Sequence, residues 1–320
     1  MTGELHVVLG ANGGMGTAVV QALGESGLAV RAVNRTGSAS VPAGGCAMAA
    51  DVSTREGAAQ AIEGASVVYH CAQPEYTKWA SEFRPMTAAI ADACEEVGAK
   101  LVLGDNLYMY GPIDGPIREN TPTRPASKKG KVREAMARDL LDRHEAGRLR
   151  VTIGRASDYF GPNGAGSAPG ALIFDAIAKG RKPRWIGRLD MPHTLNYLPD
   201  IGRGLVTLGT RDEADGRVWI LPASEALTGE QWLEAVGQAW GQPVKPAVVS
   251  PMMNRLAGLF VPMIREMNEI MYQCTEPFVV DDSAFRAAFG NAVRTTPNME
   301  ALQATIAWFA AAHAGATTST

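Results

Sequence analysis

The chain is poor in the features that announce a specialised class. Its four cysteines (Cys46, Cys71, Cys94 and Cys274) are scattered, with no C-x-x-C pair and no further cysteine or histidine beside His70-Cys71 to complete a ligand set. That excludes a disulfide scaffold and a thiolate metal centre, and the expectation is reduced thiols in a cytoplasmic protein with no bound metal. The net charge is only −3 and no basic tail is present, which excludes nucleic acid as the main partner. Long apolar runs are missing as well. The most apolar stretch, 251–264, is interrupted by Asn254, Arg255 and Pro262 and is too short to span a bilayer. No signal peptide precedes the first strand-like segment, no repeat or low-complexity segment stands out, and the Thr-rich tail is expected to fray.

What is present is enough apolar content, 46% of 320 residues, for one large α/β domain or a nucleotide domain with a smaller companion. The rest is organised around LHVVLGANGGMGTAVVQAL. An apolar strand, Leu5–Leu9, runs into a turn with glycines at Gly10, Gly13 and Gly16, and an amphipathic helix starts near Gly14. Gly10 permits a tight reversal, Gly13 lets backbone approach a pyrophosphate, and Gly16 lets the helix lie close on the strand. Asn12, Gly14 and Met15 belong to the same phosphate-binding turn. The spacing is G-x-x-G-x-x-G, and its place between the first strand and the first helix favours a dinucleotide site over the alternative, a merely tight strand-to-helix turn.

Short apolar runs then alternate with helical segments, the pattern of a doubly wound parallel sheet. Strands are expected at 5–9, 29–33, 46–50, 66–71, 100–104 and 150–154, and helices at 14–24, 54–63, 76–97 and 127–147. After Asp158 a Gly/Pro-rich loop, YFGPNGAGSAPG, breaks the alternation. The expected division is a Rossmann-type dinucleotide lobe over 1–160 and a smaller mixed α/β substrate lobe over 161–320, with the chain returning to the main sheet near 194–221.

The end of the second strand decides the cofactor. NAD-preferring sites carry a carboxylate there; this chain has Asn34 followed by Arg35, a guanidinium able to pair with a 2′-phosphate, so NADP is favoured over NAD. Asp51 and Val52 close the third strand, where a carboxylate accepts from the adenine amino group or, alternatively, caps the next helix.

GxxGxxG, the Asp51-Val52 pair, VVYHCAQP, LYMYGP, GRASDYFGP and HTLNYLPDIGRGL together resemble the extended short-chain dehydrogenase/reductase superfamily, in particular its NAD(P)-dependent epimerase/dehydratase-like branch. The resemblance covers nearly the whole chain. It implies a nicotinamide presented at the cleft between two lobes, Cys71 and Ala72 along the cofactor path, and Gln73 toward the substrate. It also implies a Ser-Tyr-Lys catalytic set, from which this chain departs. The serine position is Asn106, and the Y-x-x-x-K spacing best matches Ser127 through Lys131, which keeps the lysine and loses the tyrosine.

Several groups could replace the phenol. Asp105, Asn106, Tyr108 and Tyr110 follow the fifth strand at the ligand-binding edge of the sheet, and Tyr108 is the first candidate for proton donor, Asp105 the second. Asp158, which matches a family asparagine beside the cofactor, Tyr159 and His193 are candidate substrate contacts. Arg155 is expected to brace the site through a buried ion pair. His6, His70, His144 and His313 read as structural or surface residues. Met267, Ile270, Met271 and Cys274 fall at helical spacing as core, lid or a Met-lined pocket, and the 251–264 stretch is a buried helix, a subunit contact or a hydrophobic mouth.

Two functions compete: an NADP-dependent oxidoreductase or epimerase/dehydratase-like enzyme on a small carbonyl or hydroxyl substrate, with Lys131 orienting the ribose, or a dinucleotide-binding redox sensor like the NmrA-like members of the superfamily. Neither decides the assembly, and a homodimer stays open.

Overall fold

The computed structural model describes residues 4–317, so most of the Thr-rich tail lies outside the described residues. Seven strands form one parallel sheet: β1 (Leu5–Leu9), β2 (Ala29–Asn34), β3 (Cys46–Ala49), β4 (Val67–His70), β5 (Lys100–Asp105), β6 (Val151–Arg155) and β7 (Arg217–Ile220). Their spatial order is β7-β6-β5-β4-β1-β2-β3, and every neighbouring pair is parallel. Burial follows position. β4 and β5, in the middle, are buried along their whole length, whereas the edge strand β3 exposes nearly all its residues. The order reverses between β1 and β4, and the crevice there opens at the carboxyl ends of the strands.

Helices cover both faces. α2 (Arg55–Ile62), α3 (Trp79–Val97) and α4 (Lys128–Glu145) pack on one side, where Trp79, Phe83, Met86 and Ile90 give α3 a buried stripe. Each such side chain contributes about 1.5–3 kcal/mol on burial. α1 (Gly14–Glu25) and α5 (Leu198–Thr210) cover the other side. These two helices touch backbone to backbone: a Cβ on Gly202 would lie 2.3 Å from the Ala18 carbonyl oxygen. The carboxyl end of α5 is tied to the sheet by Lys100, whose buried ammonium donates to the carbonyls of Leu208 and Arg211 at 2.7 and 2.8 Å and pairs with Asp215 at 2.5 Å. A cation at that end of a helix meets its negative dipole pole.

The doubly wound Rossmann-type sheet expected from the sequence is present, and the six expected strands and four expected helices are all found with ends moved by a few residues. The chain does return to the sheet: α5 and β7, though late in sequence, belong to its layers. The remainder builds a smaller mixed lobe around an aromatic cluster of Phe160, Phe174, Trp232 and Phe309. In it α6 (Gly229–Trp240) and the terminal helix α11 (Asn298–Thr317) face one another. Between them run α7 (Pro251–Gly258), α8 (Pro262–Met267), α9 (Tyr272–Thr275) and α10 (Ser283–Phe289).

His70 ends β4 fully inside the protein, its Nε2 3.0 Å from the Thr87 hydroxyl. Burial, assisted by nearby Arg133, pushes its pKa down from 6.5 to about 3, so it folds neutral. The unfolded chain takes up that proton below pH 6.5 and the folded one does not until about pH 3, so stability falls across this window as pH drops, by about 1.4 kcal/mol per pH unit. His70→Gln, which cannot titrate, should flatten the fall. Urea midpoints at pH 7 and pH 4.5 for both proteins check this, and parallel pH dependences would refute it.

Candidate functional site

The turn after β1 is built around missing side chains. Gly10 adopts φ +80°, and a Cβ there would lie 2.7 Å from the backbone of Ala72, just past β4. On Gly16 a Cβ would lie 2.2 Å from the Gly10 carbonyl oxygen, so α1 rests directly on the turn. Gly13, in contrast, has only that oxygen within 4 Å of its Cβ position, at 3.4 Å, and leaves the approach open. It sits at the N-cap of α1 with no side-chain hydrogen bond to the helix and no acidic residue in the first turn. Uncapped N–H groups and an open approach are the fit a dinucleotide pyrophosphate requires. Gly13, Gly14 and Met15 line the cleft, and the Met15 sulfur lies over β5 where Gly104 has no Cβ to block it.

Beyond β2 the chain forms a polar hook. The Asn34 side-chain oxygen accepts from the N–H groups of Thr36, Gly37 and Ser38 at 2.9, 2.6 and 3.3 Å, so Asn34 shapes the loop from within. That loop presents Arg35 to solvent, together with the hydroxyls of Thr36 and Ser38, which lie 2.6 Å apart, and Asn12 donates to Ser38 at 3.4 Å. Asp51 faces the same hook. Its carboxylate accepts from the Ser53 N–H and hydroxyl at 3.1 and 2.7 Å, and these bonds lower its pKa. Capping of α2, the alternative role for Asp51, belongs to Thr54, which accepts from Gly57; Val52 beside it is buried.

From the glycine turn a cleft of about 410 Å³ runs between the two lobes. Cys71, Ala72, Gln73, Asp105, Asn106, Tyr108, Asp158, Tyr159 and His193 all line it, so most of the residues expected at the site are brought together. Asp105 is buried between two guanidiniums, Arg133 at 3.2 Å and Arg155 at 3.1 Å. A carboxylate so clamped joins α4 to β5 and β6 and is an anchor, which removes it as second choice of proton donor; Arg155 is the brace expected of it.

Two expectations are corrected here. Lys131 is exposed and does not line the cleft. The inward face of α4 carries Lys129, Arg133, Met136, Ala137 and Leu140, and Lys131, two positions from either cation, is rotated by about 200° away from it. The pair at the Y-x-x-x-K spacing that points inward is therefore Lys129 and Arg133. Each cation is engaged: Lys129 pairs with Glu266 and lies 4.2 Å over the Tyr76 ring, while Arg133 lies 4.5 and 4.4 Å over Trp79 and Phe83. A helical stripe at 129, 133, 136, 137 and 140 is visible in the sequence with 131 outside it, but the run of four cations at its start leaves the buried pair open without the distant partners. Tyr110 is the second correction. It is fully buried among Leu107, Met109 and Ile117, its hydroxyl accepts from Arg155 at 2.7 Å, and it makes no wall of the cleft.

The Asn106 side chain accepts the Tyr108 N–H at 3.1 Å and so sets the turn that carries Tyr108 into the cleft, stacked on Trp79. Burial raises the Tyr108 phenol well above its usual pKa and that of Tyr76 beside it to about 12. Both phenols stay protonated at neutral pH and can donate, not abstract, a proton. Burial likewise raises the Tyr159 phenol and pushes the Cys71 thiol up to about 12, leaving the latter without thiolate character. Across the cleft, His193 directs Nε2 at Asp158, 3.2 Å away, and Nδ1 donates to the Gln273 carbonyl at 3.0 Å.

Sequence reasoning did not single out Tyr76, whose half-buried ring lines the cleft at the start of α3 above the buried Trp79 and Phe83. Met267, Ile270, Met271 and Cys274, left open between core, lid and pocket, form the roof of the cleft. The 251–264 stretch is not a buried helix: Met252, Leu256, Leu259 and Phe260 are exposed, Phe260 at 86%. No helix among the described residues is long and apolar enough to cross a membrane.

The profile of the NAD dependent epimerase/dehydratase family matches residues 6–219. No curated protein matches the sequence. Among solved structures, the UDP-glucuronic acid 4-epimerase of Bacillus cereus in complex with NAD superposes with a TM-score of 0.77 at 15% identity, over 97% of this chain and 99% of that one. The UDP-glucose 4-epimerase of Thermus thermophilus, also with NAD, gives 0.74 at 18% identity over 95% and 98%. A nucleoside-diphosphate-sugar epimerase of Pseudomonas aeruginosa gives 0.73 at 20% over 96% and 97%.

Because Arg133 closes a buried ion pair, Arg133→Met should lower unfolding stability by about 3 kcal/mol, having left Asp105 with one partner. Lys131→Met, on the solvent face, should change it by less than about 0.5 kcal/mol. Chemical denaturation of both variants checks the orientation of α4, and equal losses would contradict it.

Proposed function

The chain belongs to the NAD-dependent epimerase/dehydratase family and is an enzyme of the short-chain dehydrogenase/reductase type, and from that premise we propose an NADP-dependent oxidoreductase acting on a small carbonyl or hydroxyl compound without the usual tyrosine-lysine pair. The observation that carries this reading is one continuous cleft: it begins at the uncapped end of α1 and ends among Tyr108, Asp158 and His193. Gly10, Gly13, Gly14 and Gly16 would hold the pyrophosphate, with Met15, Cys71 and Ala72 along its path. Asp51 and Val52 would meet the adenine. Arg35, with the hydroxyls of Thr36 and Ser38 and with Asn12, would meet a 2′-phosphate; no carboxylate at the end of β2 opposes it. The cofactor, when bound, supplies a hydride donor or acceptor.

The chain's own residues would manage the proton. Tyr108, held protonated by burial, suits donation to an oxygen that gains negative charge, which is the direction of carbonyl reduction. Asp158 and His193, in contact across the cleft, are the neighbouring pair able to hold a proton or bind the substrate hydroxyl. Gln73 and Tyr159 complete the contacts. The engagement of Lys129 and Arg133 by Glu266 and Asp105 favours the second reading, a dinucleotide sensor without turnover, because it leaves no free lysine on the inward face of α4.

NADPH should bind at least about tenfold more tightly than NADH by calorimetry, and Arg35→Ala should erase most of that difference. Equal affinities in the unmodified protein would overturn the NADP assignment. Turnover of NADPH with a panel of ketones, aldehydes, enones and nucleotide sugars tests the enzyme reading, and tight binding with no turnover on any would establish the sensor. With a substrate in hand, Tyr108→Phe should lower kcat by about 100-fold, and a fully active variant would remove Tyr108 as the acid.

A further inference from the structure

Most of the cations around the substrate end of the cleft are paired within the chain. A sugar nucleotide brings a diphosphate, whose oxygens need unpaired cations or free helix N–H groups. The groups of that kind around the substrate end of the cleft are met by carboxylates of the chain itself. Asp105 takes Arg133, Glu266 takes Lys129 and Asp190 takes Arg188. The amino end of α4 is taken too: the Lys128 N–H donates to Glu269 at 2.8 Å and the Gly130 N–H to the Ser127 hydroxyl at 2.9 Å. Arg184, at the exposed start of the short strand Arg184–Ile186, is the one lining cation for which the described residues supply no carboxylate.

The walls have a different chemistry. On one side the half-buried rings of Tyr76 and Tyr108 face the cleft, backed by the buried Trp79 and Phe83, with ring centroids 5.0 Å apart from Tyr76 to Trp79, 5.0 Å from Trp79 to Phe83 and 6.2 Å from Trp79 to Tyr108. The facing roof is made by Met263, Met267, Ile270 and Met271. Thioether side chains adapt to irregular apolar shapes and make favourable contacts with aromatic rings. Met263 is 45% exposed while also lining the cleft, so the apolar lining continues to the surface. A diphosphate placed there would lose its hydration against rings and thioethers with Asp105 and Asp158 nearby, at large electrostatic cost.

We infer that the substrate end of the cleft takes an uncharged compound with an aromatic or bulky alkyl body, sandwiched between the Tyr76 and Tyr108 rings and the methionine roof, and does not take a sugar nucleotide. The carbonyl or hydroxyl group assigned to that compound rests on the function proposed above; the apolar body rests on the walls alone.

Calorimetric titration of the full-length protein with 4-phenylbutan-2-one, with UDP-glucose and with NADPH separates the two. Saturable binding of the aryl ketone, none of UDP-glucose at millimolar concentration, and weakening of the ketone by at least about tenfold in Met267→Arg is the expected result. Met263→Arg, at a partly exposed position that tolerates a charge, provides a second variant should Met267→Arg not fold, and it should weaken the ketone in the same direction. Tighter binding of UDP-glucose than of the ketone, no ketone binding, or unchanged ketone affinity in the folded variants overturns the inference. NADPH binding is scored on its own. Ketone binding without NADPH binding keeps the apolar cleft and removes the dinucleotide reading, while NADPH binding without ketone binding does the reverse.

Discussion

The structure depends on a steric constraint at the first strand-helix turn: backbone must touch backbone where side chains would ordinarily stand. A single Cβ at Gly10 or Gly16 would overlap the chain by well inside normal contact distance, against Ala72 in one case and against the turn itself in the other. Because these atoms belong to main chain, no side-chain rotation can relieve the overlap. The same closeness brings the uncapped start of α1 to the mouth of the crevice between β1 and β4, so the constraint that packs the sheet also leaves free helix N–H groups at the cleft. The close approach of α5 to α1 through Gly202 repeats the device on the outer layer.

A second organising feature is the carboxylate of Asp105, held between Arg133 and Arg155 inside the protein. Removing charges from water is costly, and these three are kept in place by one another, by the ring faces beneath Arg133 and by the Tyr110 hydroxyl that accepts from Arg155. What this arrangement achieves is placement. It pins α4 against the ends of β5 and β6 and leaves the intervening turn, shaped by Asn106, to carry Tyr108 into the cleft. The family resemblance read from the sequence implies a tyrosine and a lysine four positions apart on this helix. Here the inward positions hold two cations turned to structural work, and the groups left facing the cleft are a protonated phenol and a carboxylate-imidazole contact.

The same substitution accounts for the character of the substrate end. Glu266 and Glu269, from the helical segment above the cleft, reach down to Lys129 and to the amino end of α4. These contacts fasten the roof to the dinucleotide lobe and neutralise the positive potential that a phosphate-bearing ligand would need. With that potential gone, aromatic rings and methionines dominate what remains.

Much of this was legible in the chain itself, because it is local. The alternation of apolar runs with helical segments determined a parallel sheet with helices on both sides, the glycine spacing determined the tight turn between β1 and α1, and Asn34-Arg35 in place of a carboxylate is what the proposed NADP preference rests on. Each follows from the conformational freedom or charge of residues adjacent in sequence. Which way α4 faces was decided only in three dimensions. Its polar amino-terminal turn carries Lys128, Lys129, Lys131 and Arg133, and the choice of buried pair depends on Asp105, Trp79 and Glu266, far off in sequence. The withdrawal of Tyr110 into the core by Arg155 and the joining of α3 to the 263–271 segment as one apolar cleft are likewise long-range packing events. They depend on partners that only folding brings within contact distance.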